Sequence, residues 1–307
     1  MSTFVVMKQM LMIFILVMAG YLLTKKNILT ANASKELSGL VVNVCNPALM
    51  FTSIWNADNS ITKGHLIQVT ILGFLLYLGL VLLGLVIPHI IRAPKRERSH
   101  YNMMSIFGNI GFIGYPVITA VLGASGILYA LVFNVFFTLL IYTYGRVLVV
   151  KDEPGREAKM SLKDIINIGS VSCVLSILMY LTQFQVPEMV KTTLDYMGRS
   201  TTFLSMIVIG VNLAQAPLKK IFGDKRVYLF VLVRQVLLPI LIGLVIRPFI
   251  HDELMYGVTI LIMAMPVGNM PLMMAEEAGV DGSLFSRGII VSTLLSVITI
   301  PLVVMFV

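Results

Sequence analysis

The chain has 307 residues and a formal net charge of +8, and 58% of its residues are hydrophobic whereas only 12% are charged. Soluble domains carry about 25% charged residues, so this composition excludes a soluble globular protein and indicates an integral protein of the lipid bilayer. The positive charge does not predict a nucleic-acid partner, because the lysines and arginines alternate between inter-helix loops instead of forming one basic surface.

Apolar segments long enough to cross a bilayer follow one another along the whole chain. A membrane-spanning helix needs about 20 apolar residues, so about ten spans fit this length and no room remains for a soluble domain. The first five predicted spans are Thr3–Leu23, Lys35–Trp55, His65–Ile91, Tyr101–Leu122 and Ser125–Val150. The last five are Ile165–Phe184, Leu194–Ala214, Val227–Phe249, Met255–Ala278 and Leu284–Val307.

A polar linker at residues 151–163 divides this single membrane domain into repeat one (1–150) and repeat two (164–307). Each repeat has five predicted spans, and an odd number inverts the second repeat relative to the first, as in many secondary transporters. Most of the 23 lysines and arginines lie in the loops after odd-numbered spans. The other side has only Lys8, Lys63, Lys191, Arg199 and Arg247. We therefore expect both termini to lie on the outer side of the cytoplasmic membrane.

Two predicted spans are interrupted at corresponding places in the two repeats. The interruptions contain Gly108, Asn109, Gly111 and Pro116 in span four, and Pro266, Gly268, Asn269 and Pro271 in span nine. Glycine and proline break a membrane helix, and the freed backbone groups then need partners in protein or in a water-filled cavity. One such segment is equally well explained as a kink with a small-residue packing face. Two at matching positions indicate the binding site of a transporter.

The ends of broken helices suggest what such a site binds. Half-helix N-termini present free N–H groups and positive partial charge, which suit a carboxylate, whereas the carbonyls of the opposite ends suit a cation. No Asp or Glu lies in the middle of any predicted span, so a buried carboxylate proton relay has no candidate. The coupling ion, H⁺ or Na⁺, stays open.

A few other polar residues lie within predicted spans. Asn43 and Asn46 fall on one face of span two, where they either contact a substrate or form interhelical hydrogen bonds. Arg234 is the basic residue inside span eight. We interpret it either as a counter-charge for an anion, or as a snorkelling side chain that contacts loop acids or lipid phosphate.

Several function classes lack their characteristic residues. The sequence has no zinc-binding spacing, no phosphate-binding loop and no nucleophile–base constellation at one depth, so we predict no catalytic residues, no metal site and no cofactor. Cys45 and Cys173 lie in apolar segments and are predicted to be buried and unpaired.

The motifs that carry a family resemblance are Asn46-Pro-Ala-Leu-Met-Phe51, Asn109-Ile-Gly-Phe-Ile-Gly-Tyr-Pro116, Ala264-Met-Pro266 leading to Asn269, and Arg234 followed by Pro239. Over essentially its full length the chain resembles the auxin efflux carrier family, which includes plant auxin carriers and bacterial members described as organic-acid permeases. The resemblance implies ten helices in two inverted five-helix repeats, with broken spans four and nine crossing near the midplane. It also implies a scaffold of spans one, two, six and seven, and a homodimer is common in this fold.

Together these observations favour a secondary transporter that moves a small organic anion by alternating access. In this hypothesis Asn109 and Asn269 orient the substrate, and Asn46 and Thr202 complete the pocket. Glycines and prolines of the two interruptions shape the place where the broken spans cross, namely Gly108, Gly111, Pro116, Gly268 and Pro271. The alternatives are a sodium-coupled symporter of the related bile-acid type, and a channel or receptor that keeps the fold without pumping. An enzyme is the least favoured class.

Overall fold

The computed structural model describes residues 3–57, 61–152, 165–215 and 223–306, and these residues are mostly helical, with no β-sheet among them. The first half contains α1 (Thr3–Lys25), α2 (Ala31–Leu40), α3 (Asn46–Trp55), α4 (Lys63–Ile90), α5 (Arg98–Ile106), α6 (Tyr115–Leu140) and α7 (Arg146–Val150). The second half contains α8 (Ile168–Thr182), α9 (Glu188–Gln215), α10 (Lys225–Val231), α11 (Leu238–Ile246), α12 (Glu253–Ala264), α13 (Met270–Glu277) and α14 (Ser283–Phe306). The predicted linker falls almost entirely outside the described residues.

The helices have the length and surface of membrane-spanning segments. Among the described residues, seven helical stretches are long and apolar enough to cross a bilayer: Phe4–Lys25, Asn32–Trp55, Lys63–Ile90, Ile110–Val150, Glu188–Gln215, Lys225–Phe249 and Ser283–Phe306. Their outer faces carry large apolar side chains, and Ile71, Phe74 and Leu82 on α4 are each more than half exposed. A continuous apolar surface of this kind is favourable in lipid, so the prediction of an integral membrane protein is confirmed.

Gly123 separates predicted spans four and five inside the longest of these stretches. A straight helix over the 41 residues of Ile110–Val150 would be about 60 Å long, twice the thickness of the hydrocarbon core. Gly123 has φ 77° and ψ −173°, a conformation that is accessible almost only to glycine and that kinks the helix. The other helix ends agree with the predicted spans within a few residues, except that α9 begins at Glu188, well before the predicted Leu194.

Three spans contain a wide, π-helical turn directly before a proline. These turns are Val41–Cys45 before Pro47, Ile110–Gly114 before Pro116, and Leu232–Leu237 before Pro239. Proline has no N–H to donate and its ring crowds the carbonyl four residues earlier, so an added residue in the preceding turn relieves the clash. Each turn adjoins or contains a polar residue of the sequence hypothesis, namely Asn46, Asn109 or Arg234. Turns of this type are frequent at functional sites.

The first half of span nine lies at the centre of the bundle. Every residue of α12 from Met255 to Ala264 is buried. On one side of the bundle α1 and α9 pack so closely that a methyl group at Gly20 would lie 2.6 Å from the Ile207 carbonyl oxygen. Cys45 and Cys173 are buried and unpaired, as predicted. The protein interior is therefore built around the broken helix of the second half.

Replacing Gly123 with alanine tests the kink. An added Cβ meets no atom within 4 Å, so the whole cost is the backbone conformation, about 1–3 kcal/mol of unfolding free energy. The matched control is Gly79→Ala, which also meets no atom within 4 Å but lies inside helix α4, where alanine is the better helix former. Thermal unfolding in detergent, followed by circular dichroism, should show a lower Tm for Gly123→Ala only. Equal stability of the two variants would contradict the kink.

Candidate functional site

The two interrupted spans meet at their interruptions and are joined there by backbone hydrogen bonds. Asn109 donates its N–H to the Pro266 carbonyl at 2.7 Å, and Gly268 donates its N–H to the Phe107 carbonyl at 2.9 Å. Together the two bonds form a single antiparallel bridge between Gly108 and Val267. Each break thus satisfies backbone groups of the other, which a break inside a membrane protein requires.

Where the two backbones approach, glycine is required at position 268, and a side chain at position 108 would crowd its neighbours. A Cβ on Gly268 would lie 2.9 Å from the Gly108 carbonyl oxygen and 3.2 Å from the Phe107 carbonyl oxygen. A Cβ on Gly108 would lie 3.0 Å from Nη2 of Arg234 and 3.4 Å from Cβ of Met265. The Gly-Asn steps found in the sequence therefore mark the contact between the two breaks.

Asn109 caps the helix that follows the first break. Its Oδ1 accepts the N–H of Phe112 at 3.2 Å, which fixes the orientation of the amide group, since only an oxygen can accept that bond. The Nδ2 atom then points the other way, and it is buried with no hydrogen-bond partner among the residues that the structure describes. A buried donor without an acceptor is costly, so this amide group is suited to receive an acceptor from a bound molecule.

Asn269 stands at the matching position before α13, in a different environment. It is partly buried, its side chain makes no capping bond to α13, and it borders a cavity of about 30 Å³. The cavity is lined by Val17, Ile209, Asn212, Leu213, Asn269, Ile289, Ile290, Thr293 and Leu294. It therefore lies between the α1–α9 pair and α14. A space of this size holds about two water molecules.

Arg234 does not reach outward but turns toward the paired breaks. The residue is only 3% exposed, and its guanidinium donates to the Ser105 carbonyl at 3.2 Å, to the Met263 carbonyl at 3.0 Å and to the Met265 carbonyl. These carbonyls belong to the C-terminal ends of α5 and α12. No acidic side chain pairs with Arg234 in the part of the chain that the structure describes. The snorkelling alternative, with contacts to loop acids or lipid phosphate, is therefore wrong.

A polar network that the sequence analysis missed supports the second break. The Ser292 hydroxyl accepts the N–H of Val267 at 3.0 Å, and the Gln235 amide donates to the Ser292 carbonyl at 3.3 Å and to the Thr299 hydroxyl at 2.7 Å. Gln235 follows Arg234 in the same π-helical turn. A glutamine beside an arginine in an apolar segment was the available sequence signal for this network.

Asn46 lies beside the first break, but Thr202 is less favourably placed. A Cβ on Gly111 would lie 3.4 Å from Nδ2 of Asn46, and Oδ1 of Asn46 is buried with no partner in the described part of the chain. Thr202 on α9 is only partly buried, whereas its neighbours Thr201 and Ser205 are fully buried, and their hydroxyl groups have no partner among the described residues. The structure therefore favours those two hydroxyls over Thr202 as the polar groups of α9 that face the interior.

The two prolines of the hypothesis lie just beyond the paired breaks. Pro116 is in the first turn of α6, after the π-helical turn, and Pro271 is in the first turn of α13. At the start of a helix proline lacks no needed hydrogen bond, so Pro271 helps to begin the second half-helix of span nine. Pro116 follows a turn that has already begun the other half-helix at Ile110, and the wide π-helical geometry of that turn accommodates its ring. Among the described residues no group of three or more His, Cys, Asp or Glu side chains is arranged to hold a metal ion.

The sequence profile of a family described as "Membrane transport protein" matches residues 5–161 and 157–304, nearly the whole chain in two segments. The chain belongs to this auxin efflux carrier-like family. The resemblance inferred from the Asn-Pro and Gly-Asn motifs is thereby confirmed, and so is membrane transport as the general function.

Two relatives from archaea are similar to the chain over nearly its full length. One, from Methanothermobacter thermautotrophicus, is 26% identical over 299 residues, covering 95% of this chain and 95% of the relative. Another, from Methanocaldococcus jannaschii, is 26% identical over 307 residues, covering 96% of this chain and 97% of the relative. Both are described as uncharacterized transporters. They support the transporter class without indicating a substrate.

Replacing Gly268 with alanine tests the contact between the breaks. The new methyl group would overlap backbone atoms of the first break, which cannot move as a flexible side chain would, so we expect a loss of about 1–3 kcal/mol in unfolding free energy. Gly39→Ala is the control, because a Cβ there meets no atom within 4 Å. Thermal unfolding in detergent is the measurement. A Gly268→Ala protein as stable as the control would show that the backbones do not meet.

Proposed function

We propose that this membrane transport protein is a secondary transporter of a small organic anion, with a carboxylate bound at the paired breaks. The observation that carries the proposal is the amide group of Asn109. It is buried, its oxygen is committed to the Phe112 N–H, and its NH₂ group has no acceptor within the described parts of the chain. A carboxylate oxygen is the acceptor that this group and the adjacent helix N-termini would favour.

The second half-helices add to the attraction for an anion. The helix after Asn109 and α13 after Asn269 both begin at the breaks, so their positive N-terminal ends lie at the site. Pro271 has no N–H, so Met270 and Leu272 supply the donors of the first turn of α13. In this proposal Asn109 and Asn269 orient the carboxylate. Asn46 and the hydroxyls of Thr201 and Ser205 contribute polar groups at the side of α3 and α9.

Ten membrane crossings in two inverted repeats are part of the same proposal. The kink at Gly123 supports separate spans four and five, and the shorter apolar helices α8 and α12 supply segments for spans six and nine. With the basic loops on the cytoplasmic side, both termini would lie on the outer side of the cytoplasmic membrane. The two profile matches are compatible with repeats at 1–150 and 164–307.

The cavity beside Asn269 suggests how the site would open. It is lined by residues of α1, α9 and α14, and its polar lining residues are Asn212, Asn269 and Thr293. In this proposal the breaks and α14 move against the α1–α9 pair to admit a carboxylate with a carbon chain. Such movement of one subdomain against another is alternating access.

Substitution of Asn109 by aspartate tests the proposed donor separately from the helix cap. A carboxylate oxygen can still accept the Phe112 N–H, so the cap is kept, but the donor is lost and a negative charge faces the substrate. A hydrogen bond to a charged group contributes about 1.5–3 kcal/mol, so carboxylate affinity should fall at least tenfold to a hundredfold. Ligand-dependent thermal shifts would be measured with acetate, malonate, succinate and phenylacetate, followed by counterflow in proteoliposomes.

The control for this experiment is Asn43→Ala, because the Asn43 amide is exposed and donates to the Gly39 carbonyl of its own helix. We expect this variant to bind and transport as the wild type does. Unchanged binding in Asn109→Asp would contradict the proposed site.

Repeating the transport measurement in proteoliposomes with potassium in place of sodium, and at two pH values, identifies the coupling ion. Strict sodium dependence would favour the bile-acid-type symporter, and currents without saturable exchange would favour a channel.

A further inference from the structure

Arg234 supplies a full positive charge at the crossing and directs it at backbone carbonyls from both broken helices. Its donors reach Ser105 in the last turn of α5, and Met263 and Met265 at the end of α12. The side chain is almost completely buried, and it has no acidic partner among the described residues. Its bonding partners are therefore two half-helix C-termini.

The charges of the helix ends can be compared with the charge of Arg234. Each helix carries a partial charge of about +0.5 at its N-terminus and about −0.5 at its C-terminus. The C-terminal ends of α5 and α12 together present about −1, which the guanidinium offsets. The N-terminal ends after Asn109 and Asn269 together present about +1. No acidic side chain of these segments balances this positive charge, because residues 98–151, 225–246 and 254–275 contain no Asp or Glu.

We propose that Arg234 is a fixed counter-charge for the carbonyl ends of both half-helices, and that the site consequently accepts a substrate with one negative charge. The substrate class is then a monocarboxylate, and a dicarboxylate of the same size is rejected. This inference rests on the proposed carboxylate site and makes it more specific. Arg234 is a positioning residue in this account, since its donors are already occupied by carbonyls and not available to an anion.

The energetic reason for rejecting a second charge is desolvation. The first carboxylate loses water but gains the amide group of Asn109 and two helix N-termini. A second carboxylate would lose its water and find neither a cation nor an uncompensated helix end, and a buried charge without a partner is strongly unfavourable. We expect dianions to bind at least roughly tenfold more weakly than monoanions of equal size.

Matched pairs of ligands test the inference on the unmodified protein. Malonate and malonamate, and likewise succinate and succinamate, have nearly the same shape and differ by one negative charge at neutral pH. Binding to the wild type in lipid nanodiscs would be measured by thermal shift and by competition in counterflow. Tighter binding of both monoamides is the expected result. Tighter binding of the dicarboxylates would overturn the inference while leaving the carboxylate site intact. No response to any ligand would overturn the site itself.

Variants of Arg234 provide a second, independent readout. Arg234→Lys keeps the charge, so it should keep the preference for monoanions, with lower stability because lysine cannot reach three carbonyls in a fixed fork. Arg234→Gln removes the charge and leaves the carbonyl ends uncompensated, so all anions should bind more weakly and the Tm should fall. If Arg234 contacted the substrate directly, Arg234→Gln would weaken dicarboxylates selectively. A selective loss of dicarboxylate binding in Arg234→Gln would contradict the assigned role. A changed ratio of monocarboxylate to dicarboxylate affinity in Arg234→Lys would contradict it as well.

Discussion

Two helices are broken inside an apolar bundle, and the backbone N–H and C=O groups freed at the breaks must find hydrogen-bond partners. The rest of the structure depends on this requirement. Lipid offers no hydrogen bonds, so each break must find its partners in protein. Here the breaks satisfy each other through the two bonds that join Asn109 to Pro266 and Gly268 to Phe107. Arg234 and Ser292 then satisfy further groups on both sides. A binding site arises because this compensation is incomplete at the helix N-termini and at the amide group of Asn109.

Glycine, proline and asparagine contribute to the site in different ways. The glycines allow two backbones to approach to hydrogen-bonding distance, and no side chain fits at Gly268. The prolines, placed after π-helical turns or in the first turn of a helix, direct where regular helix resumes. Asn109 caps one half-helix and still keeps a free donor, which an ionised aspartate at the same position would not offer. The same residues that break the helices therefore also build the binding surface.

Much of this arrangement could be predicted from the sequence, because its causes are local. Apolar length predicted helices long enough to cross a bilayer, of which the described residues contain seven, and matched Gly-Asn steps located both breaks. Side-chain direction could not be predicted, since it depends on packing between distant segments. Arg234 lies near enough to a span end to reach outward, yet it turns inward to carbonyls of α5 and α12. Thr201 and Thr202 are adjacent and chemically identical, and only the rotation of α9 decides which one is buried. The Ser292 bond to Val267 likewise joins residues with no shared motif.

An experimentally determined structure in a lipid bilayer, with a monocarboxylate bound, tests the central claim most directly. The account predicts that both helices are broken and paired at Gly108 and Val267. It also predicts ligand density within hydrogen-bonding distance of the Asn109 amide nitrogen and the first turn of α13, with Arg234 still on its carbonyls. Continuous helices through residues 105–112 and 263–271, or a ligand bound to the Arg234 guanidinium, would contradict it.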